Sequence, residues 1–292
     1  GNHTQALGVG MGNCIMAFPN RVDQATLSGG DWQAPVANLK TRLLTQVARS
    51  SNTGLASTKV NIDLGKDRGI TVLALIKHNL STSAQCRITA GTASGGGDLY
   101  DSGWLAVWPE MFPWETLEWE QDNWWEGTIS EEERYGYPAA IIHLLPAITA
   151  ARYWTLEIDD QNNPAGYIEA GRLFVSEKWQ PAVNMSWGAA LGFETKTGVD
   201  ESLGGSEFFD KRSPYRVSKL KFDWLGRDEA YAKALEMQRL LGVDGEVLLV
   251  QDPDDAIHRI RHSYLGRMRS LGSIDHTSPG RYGVQIEIKE IV

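Results

Sequence analysis

Apolar positions along this chain fall in short runs separated by turn residues, and those runs predict strands. Val60–Leu64 alternates apolar with polar positions, then Gly65-Lys66-Asp67-Arg68-Gly69 interrupts it as a turn. Ile70–Ile76 follows as a near-continuous apolar run, the pattern of a strand covered on both faces. Ile141–Pro146, Tyr153–Ile158 and Tyr167–Val175 continue the series, the last two separated by the polar stretch Asp159–Gly166. Runs of this length, rich in Val, Ile, Leu, Tyr and Trp and bounded by Gly, Asn, Asp and Pro, read as the strands of a sandwich. Residues Gly1–Asn20 read as an irregular lead-in, and Lys178–Pro181 as a boundary.

The pattern changes after residue 184. Leu220, Phe222 and Trp224 alternate with Lys219, Lys221 and Asp223, which predicts one buried and one wet face. The one long helical pattern is Arg227–Leu241, where Ala230, Ala234, Met237 and Leu241 share a stripe flanked by Tyr231. Asp228 and Glu229 suit the positive N-terminal end of such a helix, and Gly242 can take the left-handed position beyond it. Val247–Val250 and Tyr264–Leu271 read as strands, and a last strand alternates Val284, Ile286 and Ile288 with Gln285, Glu287 and Lys289. The expected organisation is mainly β: a sandwich over residues 1–183 with an insertion at 98–133, then a small α+β unit over 184–292, a sheet carrying one helix.

Composition alters this picture in one place. The chain has 292 residues, 11 tryptophans and a formal charge of −9. Six of those tryptophans (Trp104, Trp108, Trp114, Trp119, Trp124, Trp125) and eleven carboxylates lie in Asp98–Glu133, which has no Lys or Arg. That segment therefore carries −11 and the rest about +2, so the acidity is local. The balance argues against a broad grip on nucleic acid, although Arg259–Arg269 is a local basic patch. No apolar stretch has the length of a membrane span, and the start shows no signal pattern. Cys14 and Cys86, the only cysteines, form no zinc or disulfide framework and read as buried thiols made in a reducing cytoplasm, although a single bridge between them is open.

Two sets of residues carry a family resemblance. Gly29-Gly30-Asp31-Trp32, Asn38-Leu39, Ala48-Arg49-Ser50 and Ile76-Lys77-His78-Asn79-Leu80 resemble the galactose-binding, discoidin-like jelly-roll domains of bacteriophage tail proteins. Arg152-Tyr153-Trp154, Asp159-Asp160, Asn163-Pro164, Gly166-Tyr167-Ile168 and Gly171-Arg172-Leu173-Phe174 look like the C-terminal part of the same domain. The element order after residue 184 is similar to the ring-forming belt of distal tail and baseplate proteins. The resemblance implies a virion tail component, made in the host cytoplasm, that closes into a homo-oligomeric ring, meets other tail proteins and contacts a host-surface glycan. A stand-alone carbohydrate-binding module or adhesin is the alternative. No sugar-binding motif of the family can be placed on this sequence residue by residue.

Candidate chemistry is sparse. Trp114, Trp119, Trp124 and Trp125 are the sugar-stacking candidates, although a core or interface place is the commoner role of a tryptophan and is the one read for Trp104, Trp108 and Trp119. Adjacent Trp124 and Trp125 cannot point the same way in a strand, so one of them is expected to face solvent. Glu118 and Glu120 could serve a glycan hydrolase, but an acidic run is usually a solvated face and no cleft is legible. His258 and His262 have the spacing of two helical metal ligands, yet Arg259 stands where a zinc protease needs glutamate. Arg259, Arg261, Arg267 and Arg269 read instead as a basic ladder for an acidic neighbouring subunit. Asp159–Asn163 reads as a polar turn rather than a calcium loop, and Gly95-Gly96-Gly97 leads to no phosphate-binding helix. The expectation is a protein without enzymatic activity, metal or cofactor.

Overall fold

A computed structural model describes residues 12–108, 138–255 and 258–292. In chain order the first strands are β1 (Ile15–Ala17), β2 (Thr26–Ser28), β3 (Trp32–Ala34), β4 (Ala48–Ser50), β5 (Val60–His78), β6 (Gln85–Gly91), β7 (Tyr100–Ala106), β8 (Ala140–Asp159) and β9 (Glu169–Ser176). They are followed by β10 (Lys178–Trp179), β11 (Ala190–Glu194), β12 (Gly198–Glu201), β13 (Glu207–Asp210), β14 (Tyr215–Leu225), β15 (Glu246–Val250), β16 (Ser263–Ser270), β17 (Ile274–Ser278) and β18 (Arg281–Glu290). A helix α1 covers 229–241, π-wound over Glu229–Leu235 and α over Glu236–Leu241; a short turn α2 covers Arg259–His262. The chain is mainly β, as the apolar runs indicate.

The first eight-stranded sheet has the order β3-β4-β9-β5-β8-β6-β7, with β2 on β5. It folds over on itself because β5 and β8 are long enough to serve both layers. The early part of β5 pairs with the late part of β8 (Val60 opposite Leu156), and β6 joins β8 there. The late part of β5 pairs with the early part of β8 (Ile76 opposite Ala140), and β9 joins β5 there. Val60, Ile62, Ile88 and Leu156 from one half meet Leu73, Leu75, Leu173 and Val175 from the other in a single core.

Two interruptions expected from the sequence are bulges instead. The pairing shifts register between Asp63 and Arg68, so Gly65–Gly69 kinks one continuous strand rather than turning the chain. Gly65 takes φ +75°, where a side chain would be strained. Opposite, the stretch between Leu144 and Thr149 has no ladder partner, and this is where Pro146 fits, since proline has no N–H to donate. Residues 140–159 therefore form one strand where the sequence suggests two.

The second eight-stranded sheet has the order β10-β1-β15-β16-β18-β14-β11, with β17 on β18. Ala230, Ala234, Met237 and Leu241 of α1 pack on it against Phe222, Leu249, Met268 and Ile286, the expected helix stripe. Trp224 departs from its expected face. A register shift between Phe222 and Leu225 reverses the alternation, burying Leu225 and leaving Trp224 55% exposed. The expected boundary at 183/184 is crossed by two short strands, because Ile15–Ala17 and Lys178–Trp179 pair within the second sheet. The lead-in is thus partly a buried strand, one too short to show a period.

The two sheets meet through a third core. Val72, Ala74, Ile76 and Phe174 point away from the sandwich interior and pack on Leu248, Leu265 and Ile291. The continuous apolar run Thr71–Ile76 is explained by this: Leu73 and Leu75 fill one core while Val72, Ala74 and Ile76 fill the other. Cys14 and Cys86 sit as free, buried thiols in separate cores.

Candidate functional site

Strand β7 sets the first candidate surface. The sequence assigns Asp98–Glu133 to an insertion, but Tyr100–Ala106 pairs with β6 and belongs to the sandwich as its last strand. Trp108 is buried and donates its Nε1–H to the Leu80 carbonyl at 3.3 Å, closing the edge beside His78. Trp114, Trp119, Trp124, Trp125, Glu118 and Glu120 lie outside the described residues.

Trp104 differs from Trp108. It is 39% exposed, and the register places it opposite Arg87, so both side chains share one face. Glu157 stands opposite Arg87 on the other side, and Lys59 Nζ reaches Glu157 Oε1 at 3.2 Å. Arg87 donates through Nε to Asp101 Oδ1 at 2.9 Å and through Nη2 to Asp101 Oδ2. Gly103 N–H donates to Asp101 Oδ1 at 2.9 Å. The Arg87 hydrogen bond, then that of Gly103, hold the Asp101 carboxyl down to about 2. Behind this face the Tyr100 hydroxyl meets His143 Nε2 at 2.7 Å, and burial lowers the His143 pKa.

The result is an exposed indole beside a guanidinium and two carboxylates. An indole face accepts the C–H side of a sugar ring, and the flanking charged groups can bond its hydroxyls. Sequence reading misses Arg87, Asp101 and Glu157, and it gives Trp104 a core or interface place. Residues 100–106, with Asp-Ser-Gly followed by Trp-Leu-Ala, show no period of two, so the sequence carries no signal that puts Trp104 on a strand.

The second candidate surface is the far edge of the other sheet. Among the described residues β11 is the terminal strand of its sheet, paired on one side only, with β14. From it extends β12–β13, a two-stranded hairpin whose residues are all exposed. Thr195 and Thr197 fasten its base, Thr197 Oγ1 donating to the Arg212 carbonyl at 3.2 Å while Arg212 N–H donates to Thr197 Oγ1 at 3.0 Å. Val199 and Phe209 stand opposite each other on one face, and Phe208 opposite Asp200 on the other. Val199, Leu203, Phe208 and Phe209 are each more than half exposed, and Trp187 beside the β11 edge is fully so. Sequence reading sees only a polar stretch here.

The four arginines of the expected ladder are divided between two elements. Arg259 donates to the Pro253 carbonyl at 2.7 Å and Arg261 lies 2.8 Å from His258 Nδ1, both on or beside α2. Arg267 and Arg269 stand on β16, where Arg269 Nη1 is held by Glu194 Oε1 at 2.7 Å. His262 Nε2 is 3.6 Å from Asp255 Oδ2, and no group of three metal-ligating side chains forms among the described residues. The polar turn is structural: Asp160 is buried, accepting from Ser81 N–H at 2.9 Å and from Asn163 Nδ2 at 2.7 Å. No helix among the described residues is long and apolar enough to cross a membrane.

No family model and no curated protein matches this chain. Among solved structures it is similar to the first family 32 carbohydrate-binding module from a family 31 glycoside hydrolase of Clostridium perfringens. The TM-score is 0.34 and the identity 10%, over 55% of this chain and 99% of that one. The family 32 module of C. perfringens NanJ, solved with galactose, gives 0.34 and 15% over 56% of this chain and 99% of that one. The family 32 module of Streptococcus pneumoniae EndoD gives 0.31 and 15% over 55% and 99%.

Proposed function

We propose that this chain is a carbohydrate-binding protein without catalytic activity, its sandwich being the unit that meets the glycan. The observation that carries this reading is the exposed Trp104 flanked by Arg87, Asp101 and Glu157 on one face of β6, β7 and β8. The sequence adds weight, because the tryptophan-rich, cation-free segment continues from the end of β7. A glycan array probed with the purified chain tests it, with galactose-terminated glycans as the first class to examine. Retention of a defined subset is expected, and retention of none contradicts the reading.

A second reading, assembly into a ring of the kind found in phage tail tips, is favoured by the β11 edge and its hairpin. An edge strand with unpaired backbone groups beside exposed apolar side chains is a template for another chain. Soluble proteins blunt such edges with charge, proline or a covering element, and here Leu191 and Phe193 remain outward on β11. A second copy of this chain is the occupant that would make the contact repeat. Light scattering on the purified chain distinguishes the outcomes: a discrete oligomer supports self-assembly, and a monomer at every concentration removes it.

A further inference from the structure

The face of the second sheet that packs on the sandwich extends beyond it. Leu248, Leu265 and Ile291 are covered, whereas further along Lys219 pairs with Glu287 and Arg269 with Glu194 at the surface. Where the base of the β12–β13 hairpin faces this uncovered part, a cleft of about 720 Å³ opens. Four cations line it: Lys196, Arg212, Arg267 and Lys289.

The two carboxylate side chains in the lining, Asp210 and Glu290, are already committed. Asp210 holds Arg212 at 2.8 Å. Glu290 accepts from Arg216 N–H and Nε at 2.9 Å each, inside the protein. Among the described residues no carboxylate lies within ion-pairing distance of Lys196, Arg267 or Lys289. Arg267 and Lys289 are opposite residues of β16 and β18, so their side chains leave the sheet on one face. Arg267 Nε is buried and donates to nothing among the described residues. Lys289 Nζ sits 4.2 Å from the centre of the Tyr215 ring, which orients the ammonium without neutralising it.

Gathering like charges in a partly desolvated cleft is unfavourable unless something offsets it. The repulsion acts on Lys289, whose pKa is lowered by burial and then by Lys196, Arg269 and Arg267, with Glu194 opposing them. A bound anion removes this repulsion. Arginine supplies a planar fork that matches the two oxygens of a carboxylate or phosphate, and lysine supplies a compact point charge.

We propose that this cleft binds a small ligand through a phosphate or carboxylate group, with Arg267 as the fork and Lys196 and Lys289 as the flanking charges. The site shares no residue with the Trp104 surface and stands or falls independently of the glycan reading.

Isothermal calorimetry on the full chain tests it, using inorganic phosphate in one arm, glucuronate in the second and neutral glucose as the control. At low salt at least one anion is expected to bind with a Kd of about 1 mM or tighter, and to weaken as chloride rises. Lys196→Ala, on an exposed loop and neutral to folding, should weaken that binding several-fold. Arg267→Lys keeps the charge but loses the fork, and should weaken it about tenfold. Lys219→Ala, a charge change at a surface pair outside the cleft, should leave it unchanged. Preference for phosphate or for glucuronate assigns the class of group. Absence of saturable binding by either anion overturns the proposal, as does equal weakening by Lys219→Ala and Lys196→Ala.

Discussion

Arg172 and Glu246 join the two sheets through a buried ion pair. Arg172, on β9 of the sandwich, donates Nε–H and Nη2–H to Glu246 Oε2, on β15, at 3.0 and 2.6 Å. The two side chains are 0% and 2% exposed. Arg172 also reaches Asp23 and the Lys40 carbonyl, so its donors serve three separate parts of the chain. Together with the Val72, Phe174 and Leu248 core, this pair fixes the sandwich against the second sheet.

Removing both partners should therefore cost less than the two single losses added together. Arg172→Met leaves Glu246 as an uncompensated buried charge, with an expected loss of about 3–5 kcal/mol, whereas Glu246→Leu leaves Arg172 still paired with Asp23 and should cost less. The double variant should lose less than the sum of the singles. Urea unfolding of the four proteins measures this, and additive single losses would mean that the two residues act separately.

The reach of the sequence ended at pairing. Alternation at Val284, Ile286 and Ile288 and the stripe Ala230, Ala234, Met237 and Leu241 are local properties of the chain, and both elements form as read. Trp224 was unreadable because a bulge depends on how β14 registers with β18, which local alternation does not encode. The membership of Ile15–Ala17 in the second sheet is likewise a long-range pairing, with β15 some 230 residues later. The site was harder still. Arg87, Asp101, Trp104 and Glu157 come from three strands, and only the sheet brings them together.

Acid should weaken the carboxylate pairs late. Asp63, bonded by Arg152 and by Gly65 N–H, is held down to about 2, as is Asp101 by Arg87. A depressed native pKa contributes stability that is full above the ordinary value of 3.8 and fades as pH falls through about 2. Unfolding midpoints between pH 4 and pH 2 should fall less steeply in Asp63→Asn and Asp101→Asn than in the unmodified chain. Identical slopes would show that these pairs carry no linkage.

Neither thiol should react in the folded protein. Burial pushes Cys14 up to about 12 and Cys86 up to about 11, so the reactive thiolate is scarce as well as enclosed. A thiol reagent at pH 8 should modify neither residue without denaturant and both in its presence. Rapid labelling of the native chain would place a cysteine at the surface.

The apolar hairpin should govern self-association. Phe208→Ser and Phe209→Ser change exposed side chains on a hairpin outside both sheets, so folding is expected to stay within about 0.5 kcal/mol of the parent. Light scattering should show a shift toward monomer in the double variant. An unchanged oligomer would move the contact away from the hairpin.

On the proposed reading, the β6–β7 face holds a glycan through Trp104. The direct measurement is a calorimetric titration of the strongest array ligand into the parent chain and into Trp104→Ala. Loss of the indole face should cost about 0.5–1.5 kcal/mol beyond its area, so the affinity is expected to fall about tenfold while the unfolding midpoint stays close to that of the parent. An affinity unchanged by Trp104→Ala, in a variant shown to be folded, would contradict the assignment of this face.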